Sequence, residues 1–309
     1  MDTVLRSRSR EVVIGPAQPF CVIGERINPT GRRLFSEQLR NGDLSRLDRD
    51  VAEQVAGGAM VLDVNMGAPL ADEAALMTHA VRRLQDACDL PLCLDSSIIE
   101  VLDAGLAAYQ GKALVNSVTA EDERLEAILP LVARHGAAVI ALPNDEQEIP
   151  AEPERRLELA CKIVDVATGR YGIAIEDLIF DPLAMPVGAD TTLALCTLET
   201  IELMRSELGV NMTLGASNVS FGMPDRGAIG AAFLPMAITC GLTSAIMDAR
   251  SPQLVQAVKA ADLLTNRDPW GAGWIAAHRA RQAAAAAAPS PAAPPAVPSR
   301  AAQAEAPAP

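Results

Sequence analysis

The chain carries a repeated pattern in which a short apolar run ends on or near a carboxylate or carboxamide. The eight runs lie at 20–24, 60–64, 91–94, 113–115, 137–142, 178–180, 212–216 and 244–247. The polar residues in or after them are Glu25, Asn28, Asp63, Asn65, Asp95, Asn116, Asn144, Asp181, Asn218 and Asp248. Apolar runs of this length predict buried parallel strands, but a core strand has little reason to bury the polar residue at its end.

Amphipathic stretches that predict helices fill nearly every gap between these runs. We expect helices near 43–58, 71–87, 98–109, 119–136, 153–169, 191–208, 227–240 and 252–265. Strand alternating with helix eight times predicts an α/β fold, the (β/α)8 TIM barrel, whose strand ends gather polar groups at the catalytic end. The alternative is a doubly wound open sheet, but no G-x-G-x-x-G motif follows the first strand.

The length of 309 residues allows one barrel of about 250 residues with extensions. We expect residues 1–19 to be a polar, Pro-containing lead-in and residues 20–282 to form the barrel. From about residue 283 the composition is almost wholly Ala and Pro. Such a segment cannot bury a core, so 283–309 is predicted to be a disordered or polyproline-like tail.

Composition and charge narrow the function classes. Asp plus Glu number 39 against 26 Lys plus Arg, a net charge of −13 that disfavours binding to nucleic acid or an acidic membrane surface. No apolar run reaches the roughly 18 residues of a membrane span, and the N-terminus lacks the apolar region of a secretory signal. The six cysteines are scattered without a C-x-x-C pair, which predicts buried free thiols and no metal site. We therefore expect a cytoplasmic protein.

Two strand ends near the N-terminus are candidates for ligand contact. Glu25 and Arg26 precede a tight loop, and an ion pair closing the barrel rim is as good an interpretation as ligand binding. Asp63 and Asn65 are two residues apart, so both point to the same side of their strand, towards the barrel interior. One such Asp is often a helix cap, but two inward polar groups need hydrogen-bond partners, which favours a site.

Two further sets of strand ends suggest the kind of ligand. Asp95 with Ser96, Asn116 and Asp181 each follow an apolar strand, and together they match the donors and acceptor of an aminopyrimidinone edge. Each alone is typical of a helix cap. In the segment 214–220, small residues allow a ligand to approach the backbone, and Asn218 offers a neutral amide. A turn-forming Asn is the alternative.

The segments ERINPTG, LDVNMG, LCLDSS, LVNS, FDPL and GASNVSFG resemble the pterin-binding barrels that transfer a methyl group from methyltetrahydrofolate to cobalamin. The resemblance spans roughly residues 20–270 and implies a dihydropteroate-synthase-like architecture. It implies that Asp95, Asn116 and Asp181 bind the pterin ring and that Asn218 is the catalytic residue beside N5. Supporting pocket residues by the same resemblance are Asp63, Asn65, Ser96 and Arg226. Phe221 stands where some of these proteins carry a polar residue.

The resemblance also implies partners. None of the three histidines lies in the Asp-x-His-x-x-Gly arrangement of cobalamin-binding modules, so we expect a separate corrinoid protein to carry the cobalamin. The resemblance to these methyltransferases also implies that the chain forms a homodimer. The rival enzyme is dihydropteroate synthase, which uses a Lys with a Ser-x-Arg pair that is not found late in this chain. A non-catalytic folate-binding barrel stays open, and a metal-dependent lyase is disfavoured because no histidine falls in the pocket.

Overall fold

The computed structural model describes residues 1–146 and 149–287, without the side chains of 284–287. The strands are β1 (Thr3–Arg6), β2 (Glu11–Ile14), β3 (Cys21–Ile27), β4 (Val61–Asn65), β5 (Leu92–Asp95), β6 (Leu114–Thr119), β7 (Ala138–Leu142), β8 (Leu178–Phe180), β9 (Asn211–Met212) and β10 (Ser244–Met247). Strands β3 to β9 pair in parallel in sequence order, and β10 pairs with β3. Ile246 N donates to Leu214 O and Ala216 N to Ile246 O, both at 2.9 Å, which joins the chain after β9 to β10. The predicted TIM barrel is confirmed.

Helices surround the barrel. They are α1 (Arg33–Arg40), α2 (Arg46–Gly57), α3 (Glu73–Ala87), α4 (Ile99–Ala108), α5 (Asp122–His135), α6 (Pro153–Tyr171), α7 (Leu193–Glu207), α8 (Arg226–Cys240), α9 (Pro252–Leu264) and α10 (Ala272–Ala287). Each predicted helix is present with ends shifted by a few residues; Thr119, for example, belongs to β6 and α5 begins at Asp122. Gly136 ends α5 as predicted, at φ 59°, a left-handed conformation that costs glycine little.

The first 19 residues are more ordered than the sequence suggested, because β1 and β2 form an antiparallel hairpin. Leu5, Val12 and Ile14 of this hairpin are buried against apolar side chains that point into the barrel. Asn211 Nδ2 donates to Ile14 O at 2.9 Å and so ties the hairpin to β9. The hairpin therefore closes the end of the barrel where its strands begin.

The C-terminal prediction needs a correction. The segment predicted as a disordered tail begins at 283, but α10 continues through Ala287. Alanine has the highest helix propensity, so a run of alanines prolongs a helix that has already begun. The remaining tail residues, 288–309, lie outside the described part of the chain, and for them the prediction stays a prediction.

Apolar side chains pack in two layers, one between strands and helices and one inside the barrel. The inner layer includes Cys21 and Cys93, which are buried free thiols, whereas the other four cysteines are free but only partly buried. Burial of a cysteine was thus predicted correctly for two of them. Among the described residues, no helix combines the length and the apolar character that a membrane crossing requires.

Candidate active site

The strand register places four polar side chains together at the C-terminal end of the barrel. Asn65 of β4 lies beside Asp95 of β5, and Asp95 lies beside Asn116 of β6. Asp63 lies one layer deeper, in register with Cys93. Residues in register on neighbouring parallel strands share a face, so these groups continue the inward-pointing series that is apolar below them. The predicted inward direction of Asp63 and Asn65 is thereby explained.

Two hydrogen bonds join these four side chains in two pairs, and we call the four residues Asp63, Asn65, Asp95 and Asn116 the carboxylate–amide cluster. Asn65 Nδ2 donates to Asp95 Oδ2 at 2.9 Å. Asn116 Nδ2 donates to Asp63 Oδ1 at 3.2 Å. Each amide thus contacts a carboxyl on another strand, and the cluster offers both donors and acceptors along its edge.

Burial changes the acidity of the cluster. It raises the pKa of Asp63 to about 8, an effect that the neighbouring Asp95 carboxyl strengthens and hydrogen bonds with Asn116 and Cys93 oppose. Burial also raises the pKa of Asp95, against the hydrogen bond from Asn65. Two carboxyls this close in a dry site resist double ionisation. At neutral pH the pair therefore retains a proton, which a ligand with a suitable acceptor can share.

Asp181 follows β8 and lies at the same end of the barrel, apart from the carboxylate–amide cluster. Burial raises the pKa of Asp181 to about 7, while the hydrogen bond from Leu183 and the charge of Arg156 act in the opposite direction. Leu183 N donates to Asp181 Oδ1 at 2.8 Å. No hydrogen bond or salt bridge joins Asp181 directly to the carboxylate–amide cluster, so a common ligand would have to bridge them.

The loop after β9 carries Asn218. Within the described residues its carboxamide makes no hydrogen bond, although its backbone N donates to Gly215 O at 3.0 Å. Arg226 holds this loop: Nη2 donates to Ser217 O at 2.6 Å and Nε to Ser220 Oγ at 3.3 Å. Asn218 is therefore an exposed amide on a braced loop, as an amide that meets a ligand requires.

Two of the predicted site residues use a side-chain oxygen for a hydrogen bond within their own loop. Ser96 Oγ accepts from Ile98 N at 3.1 Å, and Asn65 Oδ1 accepts from Gly67 N at 2.8 Å. These are the local turns that Asx and Ser side chains form in βα loops. The Ser96 side chain makes no hydrogen bond to the carboxylate–amide cluster, although its backbone N donates to Asn116 O at 3.1 Å. Asn65 contributes to both its turn and the cluster.

The rim near β3 and β10 carries charges without a Glu25–Arg26 ion pair within 4.0 Å. Asp248 instead pairs with Arg250 at 2.8 Å. The pKa of Glu25 is raised by burial and by Asp248, while Arg26, Arg226 and Arg250 lower it. The charge of Arg226 thus acts on Glu25, although the two residues belong to different elements, α8 and β3.

Two residues of the site were missed by sequence reasoning. Cys93 reads as an ordinary core residue, and only the register shows it beneath Asp63. Arg156 lies on α6 and is fully buried near Asp181. Its signal was available: Arg156 occupies an apolar-face position of α6, in series with Leu159, Ala160 and Ile163.

The sequence is similar to those of known proteins. A family model described as pterin binding enzyme matches residues 24–248. Methionine synthase from Mycobacterium tuberculosis (strain ATCC 25618 / H37Rv) is 33% identical over 240 residues, covering 74% of this chain and 20% of that protein. Methionine synthase from Mycobacterium leprae (strain TN) gives the same identity and coverage. The chain therefore spans about a fifth of the length of these relatives.

Solved structures show the same fold at lower identity. Dihydropteroate synthase from Xanthomonas albilineans, in complex with 7,8-dihydropteroate, is 20% identical with a TM-score of 0.65, covering 84% of this chain and 98% of that chain. Yersinia pestis dihydropteroate synthase with a pterine-sulfa conjugate is 15% identical with a TM-score of 0.64, covering 85% and 99%. The shared feature is the barrel architecture.

Proposed function

We propose that this chain, which belongs to the pterin-binding enzyme family, transfers a methyl group between N5 of 5-methyltetrahydrofolate and the cobalt of a corrinoid carried by a separate protein. The observation that carries the proposal is the carboxamide of Asn218, which makes no hydrogen bond within the described part of the chain and lies at the same barrel end as the carboxylate–amide cluster and Asp181. Identity of 33% to methionine synthase, against 15% and 20% for the dihydropteroate synthases above, supports methyl transfer rather than dihydropteroate synthesis.

The cluster and Asp181 are assigned to the pterin ring. A pterin presents an amino group and a ring N–H as donors beside a carbonyl acceptor, which carboxylates and carboxamides match in one plane. The residues assigned to this edge are Asp95, Asn116 and Asp181, and those that support them are Asp63, Asn65, Ser96 and Arg226. Their hydrogen bonds fix the rotamers before the ligand arrives, which lowers the entropy lost on binding.

Asn218 is assigned to the reacting nitrogen. During transfer the methyl carbon accepts an electron pair from cobalt(I), the pair of the breaking C–N bond remains on N5, and N5 takes up a proton from solvent. An amine anion is a poor leaving group, so charge on N5 must be met by a hydrogen bond as it develops. The Asn218 amide donates to N5 more strongly in the transition state than in the ground state, which is what accelerates the step.

The partner is a corrinoid protein that brings its cobalt to the open end of the barrel, and two copies of this chain form a homodimer. The corrinoid is a substrate in this scheme and is held by the partner. The opposite barrel end is occupied by the N-terminal hairpin, so a pterin and a partner must share the C-terminal end. The methyl group on N5 therefore has to face outward.

The experiment is spectroscopic. Purified chain, methyltetrahydrofolate and cobalamin reduced to the cobalt(I) state are mixed without oxygen, and the absorbance of methylcobalamin is followed with time. We expect methylcobalamin and tetrahydrofolate in equal amounts. Formation of dihydropteroate from a pterin diphosphate and an aromatic amine, with no methyl transfer, would identify a synthase instead. Saturable folate binding with neither product would identify a non-catalytic binding barrel.

A further inference from the structure

Arg156 is a fully buried arginine that the proposed function does not use. It lies on the face of α6 that packs against the barrel, in series with buried Leu159, Ala160 and Ile163. A guanidinium removed from water is strongly destabilising unless hydrogen bonds replace its hydration. An aliphatic side chain would fill this position without the desolvation cost of a buried charge. The contacts of Arg156 should therefore show which role the guanidinium has.

The guanidinium joins the loops that follow two neighbouring strands. Its Nε donates to Pro150 O at 2.9 Å, in the loop after β7. Its Nη1 donates to Pro182 O at 2.6 Å and to Leu183 O at 3.1 Å, in the loop after β8. A planar fork with fixed donor directions holds two loops in one relative position, which a flexible ammonium cannot do.

The second loop needs this support. Leu183 has φ 61°, the left-handed region that a leucine side chain disfavours. The Leu183 carbonyl is also contacted by Thr197, whose Oγ1 lies at 3.3 Å. A strained residue of this kind persists where surrounding contacts over-determine it, and such residues concentrate at functional sites. Arg156 and Thr197 are those contacts.

The strained turn also fixes the orientation of the Asp181 carboxyl. Leu183 N donates to Asp181 Oδ1 at 2.8 Å, and this is possible only while the turn keeps its conformation. Oδ2 makes no hydrogen bond with any described residue, so it is the atom left for a ligand. The Arg156 guanidinium therefore binds the carbonyls of the turn, and the Leu183 amide of the same turn binds the Asp181 carboxyl.

We propose that Arg156 is a positioning residue: it holds the Pro182–Leu183 turn so that Asp181 presents one carboxylate oxygen to the pterin. The assignment of the pterin rests on the proposed function, whereas the effect of Arg156 on the Asp181 carboxyl does not. The titratable groups that act on the guanidinium are the Cys196 thiol and the carboxyls of Asp181 and Glu152. Arg156 is the charged side chain whose field acts on Asp181, where it opposes the effect of burial.

The first test reads the carboxyl without any ligand. Asp181 is followed by carboxyl ¹³C NMR in the wild type, in Arg156→Gln and in Arg156→Lys, with Asp181→Asn to assign the signal. We expect the wild type to titrate near its pKa of about 7 and Arg156→Gln to titrate at higher pH, because a stabilising positive charge is lost. Arg156→Lys keeps the charge, so its midpoint should stay near that of the wild type. A folded Arg156→Gln with an unchanged midpoint overturns the proposal.

The second test measures binding of methyltetrahydrofolate by calorimetry. We expect Arg156→Gln and Arg156→Lys both to bind about 10- to 100-fold more weakly, because neither side chain can hold both loops and a misplaced contact group loses affinity on this scale. The control is Arg155→Gln, one residue earlier on α6, whose side chain pairs with Asp145 and Glu158 at the surface. It should bind like the wild type.

The outcomes separate the two proposals. If the wild type and Arg155→Gln do not bind the folate, the proposed function fails, and the titration of Asp181 still decides the role of Arg156. If Arg156→Gln does not fold, Arg156→Lys decides: wild-type affinity in that variant overturns the positioning role, and weakened affinity at an unchanged Asp181 midpoint supports it.

Discussion

At the residue scale, Asn218 carries the most specific chemical prediction. Replacing it with Ala removes the donor to N5, and loss of one preorganised donor of this kind commonly costs about 3 kcal/mol in the transition state. We expect Asn218→Ala to lower the rate of methylcobalamin formation by about two orders of magnitude, with folate binding much less affected. Ser217→Ala, at the neighbouring exposed position, is the control and should turn over normally. Normal turnover in Asn218→Ala would show that the transition state does not need a hydrogen bond from Asn218 to N5.

A glycine tests whether the direction of the Asn218 side chain matters. A Cβ added at Gly215 would lie 3.0 Å from Asn218 Nδ2 and 3.4 Å from Cγ, so the carboxamide must move. We expect Gly215→Ala to slow methyl transfer about tenfold or more, because a small displacement of a catalytic group is costly. Gly169→Ala, where an added Cβ meets nothing within 4 Å, is the matched control. Equal rates for both variants would mean that Asn218 tolerates displacement.

How far residues could be placed from the sequence depended on periodicity. The two-residue period correctly put Asp63 and Asn65 on one side of β4, because side-chain direction in a strand is fixed by geometry alone. It could not show that Ser96 Oγ would accept a hydrogen bond from Ile98 N, because β5 ends at Asp95 and the loop conformation sets the direction of the Ser96 side chain. Arg156 was not predicted as a site residue, because charged residues of an amphipathic helix usually lie on its solvent face.

At the element scale, the barrel was predictable and the N-terminal hairpin was not. Each barrel strand is an apolar run between helices, and this is a local signal that repeats eight times. Strands β1 and β2 have four residues each, with polar residues between them, so their local signal is weak. What holds them is distant: Asn211, late in the chain, donates to Thr3 Oγ1 at 3.0 Å and to Ile14 O at 2.9 Å.

The hairpin offers a matched pair of substitutions. Val12 and Val13 are neighbours on β2, but Val12 is 3% exposed and packs inside the barrel, whereas Val13 is only partly buried on the other face. We expect Val12→Ala to lower the free energy of unfolding by about 2 kcal/mol, from lost burial and the cavity left behind. Val13→Ala should cost clearly less, as measured by urea denaturation. Equal losses in the free energy of unfolding would show that Val12 does not pack in the barrel interior as described.

At the scale of the whole molecule, the barrel has one blocked end and one polar end. The hairpin fills the end where the strands begin, and buried carboxyls gather where they finish. A ligand that enters from the open end therefore meets carboxyls which the fold has placed at an energetic cost. That cost makes the stability of the protein depend on pH in a direction that can be worked out.

The carboxyls in question bind protons more tightly in the folded state. Folding raises the pKa of Asp63 to about 8 from 3.8, mainly by burial, and that of Asp181 to about 7. Below about pH 4 both states hold these protons, and the stability that each group contributes is fully present. Between pH 4 and the folded pKa only the folded state holds the proton. The free energy of unfolding therefore falls as pH rises through this range, until the folded-state carboxyl also ionises.

Asp63→Asn isolates one such group. An amide cannot ionise, so the variant should lose the contribution of one proton to the slope, about 1.4 kcal/mol per pH unit at most between pH 5 and 8. We expect the free energy of unfolding of the variant, from urea denaturation at several pH values, to fall less steeply than that of the wild type. Asp122→Asn makes the same chemical change at a side chain that is 79% exposed, and it should keep the wild-type slope. Parallel curves for the wild type and Asp63→Asn would mean that Asp63 is already ionised in the folded barrel, and the proton assigned to the carboxylate–amide cluster would then have to reside on Asp95.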